Sequence, residues 1–179
     1  MSNLRLINET SITSSVLSIS ITDVFSSDFD IYKITATGLS TTGTDYVDVD
    51  FRFLTTSDSV ISSNNYNYGA LHMLNWTGFT DLNDTNQSKI KRGFAESTDQ
   101  APETASSNLW VFNPAVAGSY SQVLFQNTGY YGGSYGSSMT GFGILVKLGK
   151  VTGFHAVRSH RSRPLASGTF RTYGLRVDT

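Results

Sequence analysis

Apolar and polar residues alternate with a period of two in several segments of this chain, and this pattern constrains its fold most. The segments 17–21, 46–53 and 142–148 each place apolar side chains on one side and mainly polar or small ones on the other. Successive side chains of a β-strand point to opposite faces, so each segment is typical of an antiparallel strand with one buried face. The predicted core residues are Leu17, Ile19, Ile21, Val49, Phe51, Phe53, Ile144, Val146 and Tyr173.

Helical periodicity is nearly absent, so we expect less than about 10% helix. Further strands are predicted near 30–37, 66–77, 107–113, 120–127, 151–159 and 168–177. Short strands separated by Ser-, Gly- and Asn-rich turns indicate an all-β fold, a single antiparallel β-sandwich domain over residues 1–179.

Three segments between or before the strands have predicted roles of their own. Residues 127–138 are rich in Gly, Ser and Tyr and predict a long turn, whereas the polar stretch 93–107 predicts a surface loop. Residues 1–14 contain enough apolar side chains to form an extended arm that docks on a partner.

Charge is unevenly distributed along the chain. Residues 1–100 carry six basic and twelve acidic side chains, a charge of −6, whereas residues 101–179 carry seven basic and two acidic ones, a charge of +5. Two interpretations stay open: the halves compensate within one domain, or they favour head-to-tail contact between copies. Neither gives the clearly basic domain typical of a nucleic-acid-binding protein, so no nucleic-acid partner is expected.

The chain has no cysteine, so neither a disulfide nor a thiolate ligand or nucleophile is available. The first residues lack the basic and apolar regions of a signal peptide. No segment approaches the roughly 18 consecutive apolar residues of a membrane span, so no membrane insertion is expected.

Two acidic segments are candidates for acid–base chemistry or calcium. Asp48 and Asp50 share one face of a predicted strand, with Asp45 before them. No histidine or third carboxylate at a suitable spacing accompanies them, so a solvated outer face is favoured. Residues 81–86 cluster oxygen ligands without the glycine and closing glutamate of an EF-hand loop, so a local turn is favoured. The sequence therefore predicts no metal site.

The histidines do not form a recognisable catalytic set. His72 lies within an apolar run, where a hydrogen-bonded sheet or core histidine is the usual explanation, and no nucleophile elbow accompanies His72, His155 or His160. No zinc-ligand spacing is present either. We expect neither enzymatic activity nor a cofactor.

A basic run is the strongest local charge feature, formed by Arg158, His160, Arg161 and Arg163. It is typical either of a contact with an anion or acidic partner, or of a solvated strand end before Pro164. The acidic N-terminal half is an available partner within the chain or on another copy, and the sequence does not decide between these interpretations.

Aromatic residues within the Gly/Ser-rich segment 129–138 are the most unusual feature. Tyr130, Tyr131 and Tyr135 combine large amphipathic rings with an adaptable backbone, as binding loops do, and together with Trp76 they are candidates for stacking on sugar rings. The alternative is a long hairpin loop that packs on a neighbouring copy.

Two segments resemble small virion proteins of tailed bacteriophages. The opening runs from Leu6-Ile7-Asn8-Glu9-Thr10 through a Ser-rich stretch to Thr22–Ile34, and the ending, Ala166-Ser167-Gly168-Thr169-Phe170-Arg171-Thr172-Tyr173-Gly174-Leu175, is similar to the close of many phage fibre and appendage domains. Thr172 stands where an apolar residue is common. The resemblance implies a jelly-roll-like sandwich and carries over no active-site residue.

The resemblance implies a non-enzymatic structural protein on the exterior of the virion, made in the host cytoplasm and either tail- or fibre-associated or a capsid-decoration subunit. Its expected partners are other virion proteins and further copies of itself, with a trimer favoured. The alternative is a carbohydrate-binding module that recognises a host-surface glycan. The candidate ligand or partner contacts are Trp76, Tyr130, Tyr131, Tyr135, Arg158, Arg161 and Arg163.

Overall fold

The computed structural model describes residues 3–43, 47–97, 103–131, 135–159 and 163–175, and these form twelve β-strands without a helix. The predicted all-β fold is confirmed. The strands are β1 Leu4–Ile12, β2 Ser18–Ile21, β3 Ile31–Thr41, β4 Val47–Thr55, β5 Tyr66–Leu74, β6 Gly78–Gln87, β7 Ile90–Ser97, β8 Ala105–Phe112, β9 Ser121–Tyr131, β10 Tyr135–Leu145, β11 Val151–Arg158 and β12 Leu165–Leu175.

The strands form two antiparallel sheets, as the sandwich prediction requires. The large sheet has eight strands in the order β1-β12-β3-β8-β9-β10-β5-β6, and the small sheet has four in the order β2-β11-β4-β7. The jelly-roll connectivity stays a prediction. Residues 4–12, expected as part of a docking arm, pair with β12 of the same chain.

Phenylalanines from both sheets fill the space between them. Phe51 of β4 stacks on Phe154 of β11 with ring centroids 5.9 Å apart, and Phe94 of β7 meets Phe170 of β12 edge to face at 5.4 Å. All four rings are fully buried. Offset and edge-to-face pairs of this kind add to the free energy gained from burying the rings.

The predicted core is correct on β2 and β4 and wrong elsewhere. Ile21, Val49, Phe51 and Phe53 are buried, and Ile19 packs against the core from a half-buried position. The remaining core predictions are wrong: Leu17 and Val146 are exposed, and Ile144 and Tyr173 are half-buried on the face that points away from the small sheet.

On β10 the alternation has the opposite phase to the predicted one. Met139 and Leu145 point into the core, together with glycines 141 and 143, whereas Phe142 is exposed. A Cβ on Gly143 would lie 2.2 Å from Cδ1 of Ile90, so the glycine leaves room for an isoleucine of the small sheet. Between Gly141 and Ile144, the glycines therefore face inward, and the large apolar residues face outward.

The predicted surface loop at 93–107 is wrong where the structure describes it. Residues 93–97 belong to β7 and are buried, and β8 begins at Ala105. The predicted turn at 127–138 is also shorter than expected, because β9 continues to Tyr131 and β10 begins at Tyr135. Polar residues misled the prediction at 93–107, since β7 buries its polar side chains in a charged cluster.

Candidate functional site

The face of the large sheet that points away from the small sheet is called the outer face. Cross-strand register aligns its side chains in rows, and one row crosses six strands with little charge. Its members are Leu6, Tyr173, Lys33, Trp110, Leu124 and Phe142. Leu6, Leu124 and Phe142 are 50%, 50% and 45% exposed. The single charge, Lys33 Nζ, lies 5.4 Å from the centroid of the Trp110 ring, a cation–π contact.

A second apolar row lies beside the first, toward one end of the strands. Its members are Leu4, Leu175, Ile31, Phe112, Gln122 and Ile144. We call these two rows the apolar band, and the end of the strands where they lie the base end. The loops at 113–120 and 146–150 also lie at the base end and hydrogen-bond to each other through Gly149 N and Ala117 O, 3.1 Å apart. Their exposed apolar side chains are Val116, Tyr120, Val146 and Leu148.

The other half of the outer face is polar. Moving from the base end, the third row contains Glu9, Arg171, Thr35, Asn108, Gln126, Thr140, Leu71 and Asp81. On the four central strands the fourth row contains Ser106, Thr128, Ser138 and Met73, and Phe79 of β6 pairs with Met73. Two contrasting surfaces therefore share one sheet face.

The structure brings two of the predicted aromatic residues together at the opposite end of the strands, the tip end. Trp76 lies in the β5–β6 turn and Tyr135 begins β10, and their ring centroids are 4.2 Å apart. Both are about two-fifths exposed, as is Tyr130 of β9. Tyr131 pairs with Tyr135 in the β9–β10 ladder, and its side chain lies outside the described part of the structure.

Of the predicted basic contact residues, the structure describes Arg158 and Arg163, and neither is exposed. Arg158 ends β11 and is only 7% exposed, so its side chain is not a surface contact. Arg163 is half-buried, with its side chain 3.6 Å from the position that a Cβ on Gly43 would take. Arg161 lies outside the described residues.

The predicted solvated face of β4 is wrong, because Asp48 and Asp50 are buried. Arg92 Nε lies 2.9 Å from Asp48 Oδ1 and forms an ion pair with it. The backbone N–H of Arg92 donates to Asp50 Oδ1 at 2.9 Å, and Lys89 Nζ lies 2.5 Å from Asp50 Oδ2. Asp45 lies outside the described residues.

A left-handed backbone conformation at Arg92, with φ of 55°, lets this one residue join both sheets. The β4–β7 ladder is irregular at this point, between the Phe51–Ile90 and Val49–Phe94 pairs. Its N–H reaches Asp50 of the small sheet, and its carbonyl accepts from Asn127 Nδ2 of the large sheet at 2.9 Å. This conformation costs a non-glycine residue about 1 kcal/mol, which these contacts offset.

His72, Ser137 and Glu96 lie together but do not form a nucleophile–base pair. Arg92 Nη1 lies 3.1 Å from His72 Nδ1, and a guanidinium can only donate, so Nδ1 accepts and the ring proton is on Nε2. His72 Nε2 then points its proton at Glu96 Oε2, 3.3 Å away, and Ser137 Oγ also donates to Glu96 Oε2 at 2.9 Å. The imidazole therefore has no lone pair directed at the serine.

Burial and charge set the protonation of the three carboxylates in this cluster. Burial raises the pKa of Asp48 and of Asp50, and their ion pairs with Arg92 and Lys89 oppose that effect only in part. Burial also acts to raise the pKa of Glu96, but the hydrogen bond from His72 and the charge of Arg92 outweigh it and hold the pKa below its ordinary value. An internal space of about 10 Å³ beside Arg92 and Glu96 has room for about one water, not for a substrate.

The predicted turn at 81–86 is part of edge strand β6, and most of its side chains are exposed. Asp81 accepts from Asn83 Nδ2 at 3.0 Å. Across the described residues, no three His, Cys, Asp or Glu side chains are placed to hold a metal ion. That part of the chain also contains no helix with the length and apolarity of a membrane span.

Sequence reasoning missed the apolar band as a surface. The aromatic candidate contacts that it named, Trp76, Tyr130, Tyr131 and Tyr135, all lie at the tip end. The signal that was available lies in β10, where glycines 141 and 143 alternate with Phe142 and Ile144. A strand that presents glycine to one side and large apolar residues to the other is compatible with either face inward. The larger residues are predicted to be buried, and the structure reverses this.

Comparison with known proteins adds no relative: no family model matches the chain, and neither the curated proteins nor the solved structures contain a match.

Proposed function

We propose that this protein is a non-enzymatic structural subunit that assembles with copies of itself through the apolar band, as a component of a bacteriophage virion exterior. The observation that carries the proposal is the uncovered apolar band itself. It crosses six strands, about 24 Å at about 4.8 Å per strand, in two rows. Contiguous apolar surface of this extent on a folded domain is typical of an interaction site.

A second copy fits the band better than a small ligand does. The band is broad, and the polar row with Glu9, Arg171 and Asp81 borders it, which gives the apolar centre and polar rim of a protein interface. Another sheet face packs on such a surface at a spacing of about 10 Å. The same face of a second copy supplies apolar side chains at matching intervals.

Symmetry decides which oligomers the band alone can form. In a two-fold dimer the same patch is used by both subunits, so the band needs no other surface. The trimer expected from the sequence requires a second, different patch that meets the band. A stable dimer buries about 800 Å² on each partner, so we expect the base-end loops to contribute to the interface together with the band.

The assignment to a virion rests on the resemblance. The similar segments contribute most of β1, most of β12 and the start of β3, which are neighbours in the large sheet. They supply Leu6, Ile31, Tyr173 and Leu175 of the apolar band. The residues that carry the resemblance are thus among those that we propose to be in contact.

The oligomeric state of a double variant tests the proposal. Leu124→Ser with Phe142→Ser removes two exposed apolar side chains from the centre of the band, and light scattering during size-exclusion chromatography should show a shift from oligomer to monomer. Phe79→Ser is the control, because Phe79 is more exposed, at 70%, but lies outside the band. A wild-type protein that stays monomeric at high concentration, or a double variant that assembles like wild type, overturns the proposal.

A further inference from the structure

The polar half of the outer face contains a continuous groove. Two shallow depressions, of about 400 and 440 Å³, share Met73, Thr128 and Ser138 along their walls. Together they run from Asn108 on β8 across β9, β10 and β5 to Phe79 on β6. We call this combined depression the groove. It lies on the tip side of the apolar band and shares no residue with the band, while Asn108, Gln126 and Thr140 of its lining belong to the polar row that borders the band.

The groove is lined by uncharged hydrogen-bonding side chains. Ser106, Asn108, Gln126, Thr128, Ser138 and Thr140 supply hydroxyl and amide groups from three adjacent strands. No side chain along either depression carries a charge, within the described residues that line them. Phosphate and sulfate esters, nucleic acids and acidic glycans need Lys or Arg partners, so this lining does not suit them.

Asn108 shows that the lining is not satisfied from within the protein. Its Oδ1 has no hydrogen-bond partner among the described residues, although that atom is buried from bulk water. A neighbour in the same row, Gln126, is exposed on the adjacent strand. The amide of Asn108, whose oxygen lacks a partner, and the exposed amide of Gln126 are both suited to a ligand rich in hydroxyl groups.

Aromatic rings lie at the tip end of the groove. Phe79 lines it and is 70% exposed, an unusual position for a phenylalanine without a partner surface. Trp76 and Tyr135 directly follow and precede the lining residues Asn75 and Gly136, which are joined by a backbone hydrogen bond of 3.2 Å. The two hairpin ends are thus held together, with the Trp76 and Tyr135 rings 4.2 Å apart beside the end of the groove that Phe79 lines.

We propose that the groove binds an uncharged oligosaccharide. A pyranose ring has C–H groups on its faces and hydroxyls around its rim, so it matches aromatic rings on one side and amides and hydroxyls on the other. Phe79, with Trp76 and Tyr135, stacks on sugar faces, while Asn108 and Gln126 hydrogen-bond to sugar hydroxyls. The aromatic residues of this site lie at the tip end, opposite to the base end where the apolar band lies, so assembly through the band leaves them accessible.

A glycan array of neutral and acidic oligosaccharides, followed by calorimetric titration of the bound sugars, tests the proposal. We expect binding to neutral members only, and we expect Gln126→Ala and Phe79→Ala each to weaken it by about 3- to 10-fold. Gln122→Ala is the matched control, since Gln122 is an exposed glutamine on the same strand outside the groove. Tyr120→Ala is the aromatic control, being as exposed as Tyr135 but at the base end.

Binding of no neutral glycan, binding that prefers acidic glycans, or equal binding by Gln126→Ala and wild type would each overturn the proposal. Its failure is separable from failure of the assembly proposal, because light scattering reports on the apolar band and titration reports on the groove. A Leu124→Ser, Phe142→Ser variant should be monomeric and still bind the sugar.

Discussion

Arg92 Nε lies 2.9 Å from Asp48 Oδ1, and this ion pair joins β7 to β4 at a place where the sequence predicts a solvated strand face. The same guanidinium lies 3.0 Å from Glu96 Oε1 through Nη1. One cation therefore compensates two buried carboxylates, and its backbone N–H reaches a third, that of Asp50. The pairing of β7 with β4 in the small sheet therefore depends on this residue.

Replacing Arg92 should be strongly destabilising at neutral pH. Arg92→Met leaves the carboxylates of Asp48 and Glu96 buried without their cation, and we expect the free energy of unfolding to fall by about 3–5 kcal/mol. The deficit should shrink below about pH 4, because protonation removes the uncompensated charges. Urea denaturation at both pH values measures this, with the exposed Lys150→Met as control. A loss that is independent of pH would contradict the ionic explanation.

His155 should make stability depend on pH in the weakly acidic range. Burial, and then the charge of Arg52, lower the pKa of His155 below 6.5. The fold therefore favours neutral His155, and this contribution is fully present above the pKa of the unfolded chain and is lost as the pH falls through the folded pKa. Between about pH 7.5 and about pH 5, wild type should lose more stability than His155→Gln in urea denaturation. Parallel losses in the two proteins would exclude His155 as the source.

Gly153 should not tolerate even one additional carbon. A Cβ there would lie 2.1 Å from the carbonyl oxygen of Ile21, a backbone atom of the paired strand β2. Gly153→Ala must therefore push β2 away from β11, and we expect a loss of about 2 kcal/mol or more in thermal or urea unfolding. Gly118→Ala is the matched control, because a Cβ at Gly118 meets nothing within 4 Å. Equal stability of the two variants would contradict this close approach of β2 to β11.

Phe154 in the core and Phe142 on the outer face should respond differently to truncation of their side chains. Phe154→Ala removes a fully buried ring that contacts Phe51 and Phe94, and it should cost about 3–5 kcal/mol of folding stability. Phe142→Ala removes an exposed ring of the apolar band, so it should change folding stability by less than about 1 kcal/mol and weaken self-association. Urea unfolding and light scattering on both variants separate core packing from assembly.

Strand formation follows from the amino-acid sequence alone, because alternation with a period of two over segments such as 46–53 matches only a pleated backbone. The sequence also singles out Trp76 and Tyr135 as aromatic residues in a turn-rich setting. It does not show that these two rings meet, since their contact depends on β10 pairing with β5, a pairing between segments distant in the chain.

Which face of each strand is buried depends on the tertiary structure. A period of two has the same form whichever face is inside, so the choice depends on what the other sheet presents at that position. Opposite Gly143 the small sheet presents Ile90, which occupies the space that a glycine leaves. Because Gly143 faces inward, its neighbour Phe142 faces outward and is part of the apolar band. The burial of Asp48 and Asp50 has a different cause, because Arg92 and Lys89 form ion pairs with these two carboxylates. Both candidate surfaces follow from side chains that meet only in the folded chain.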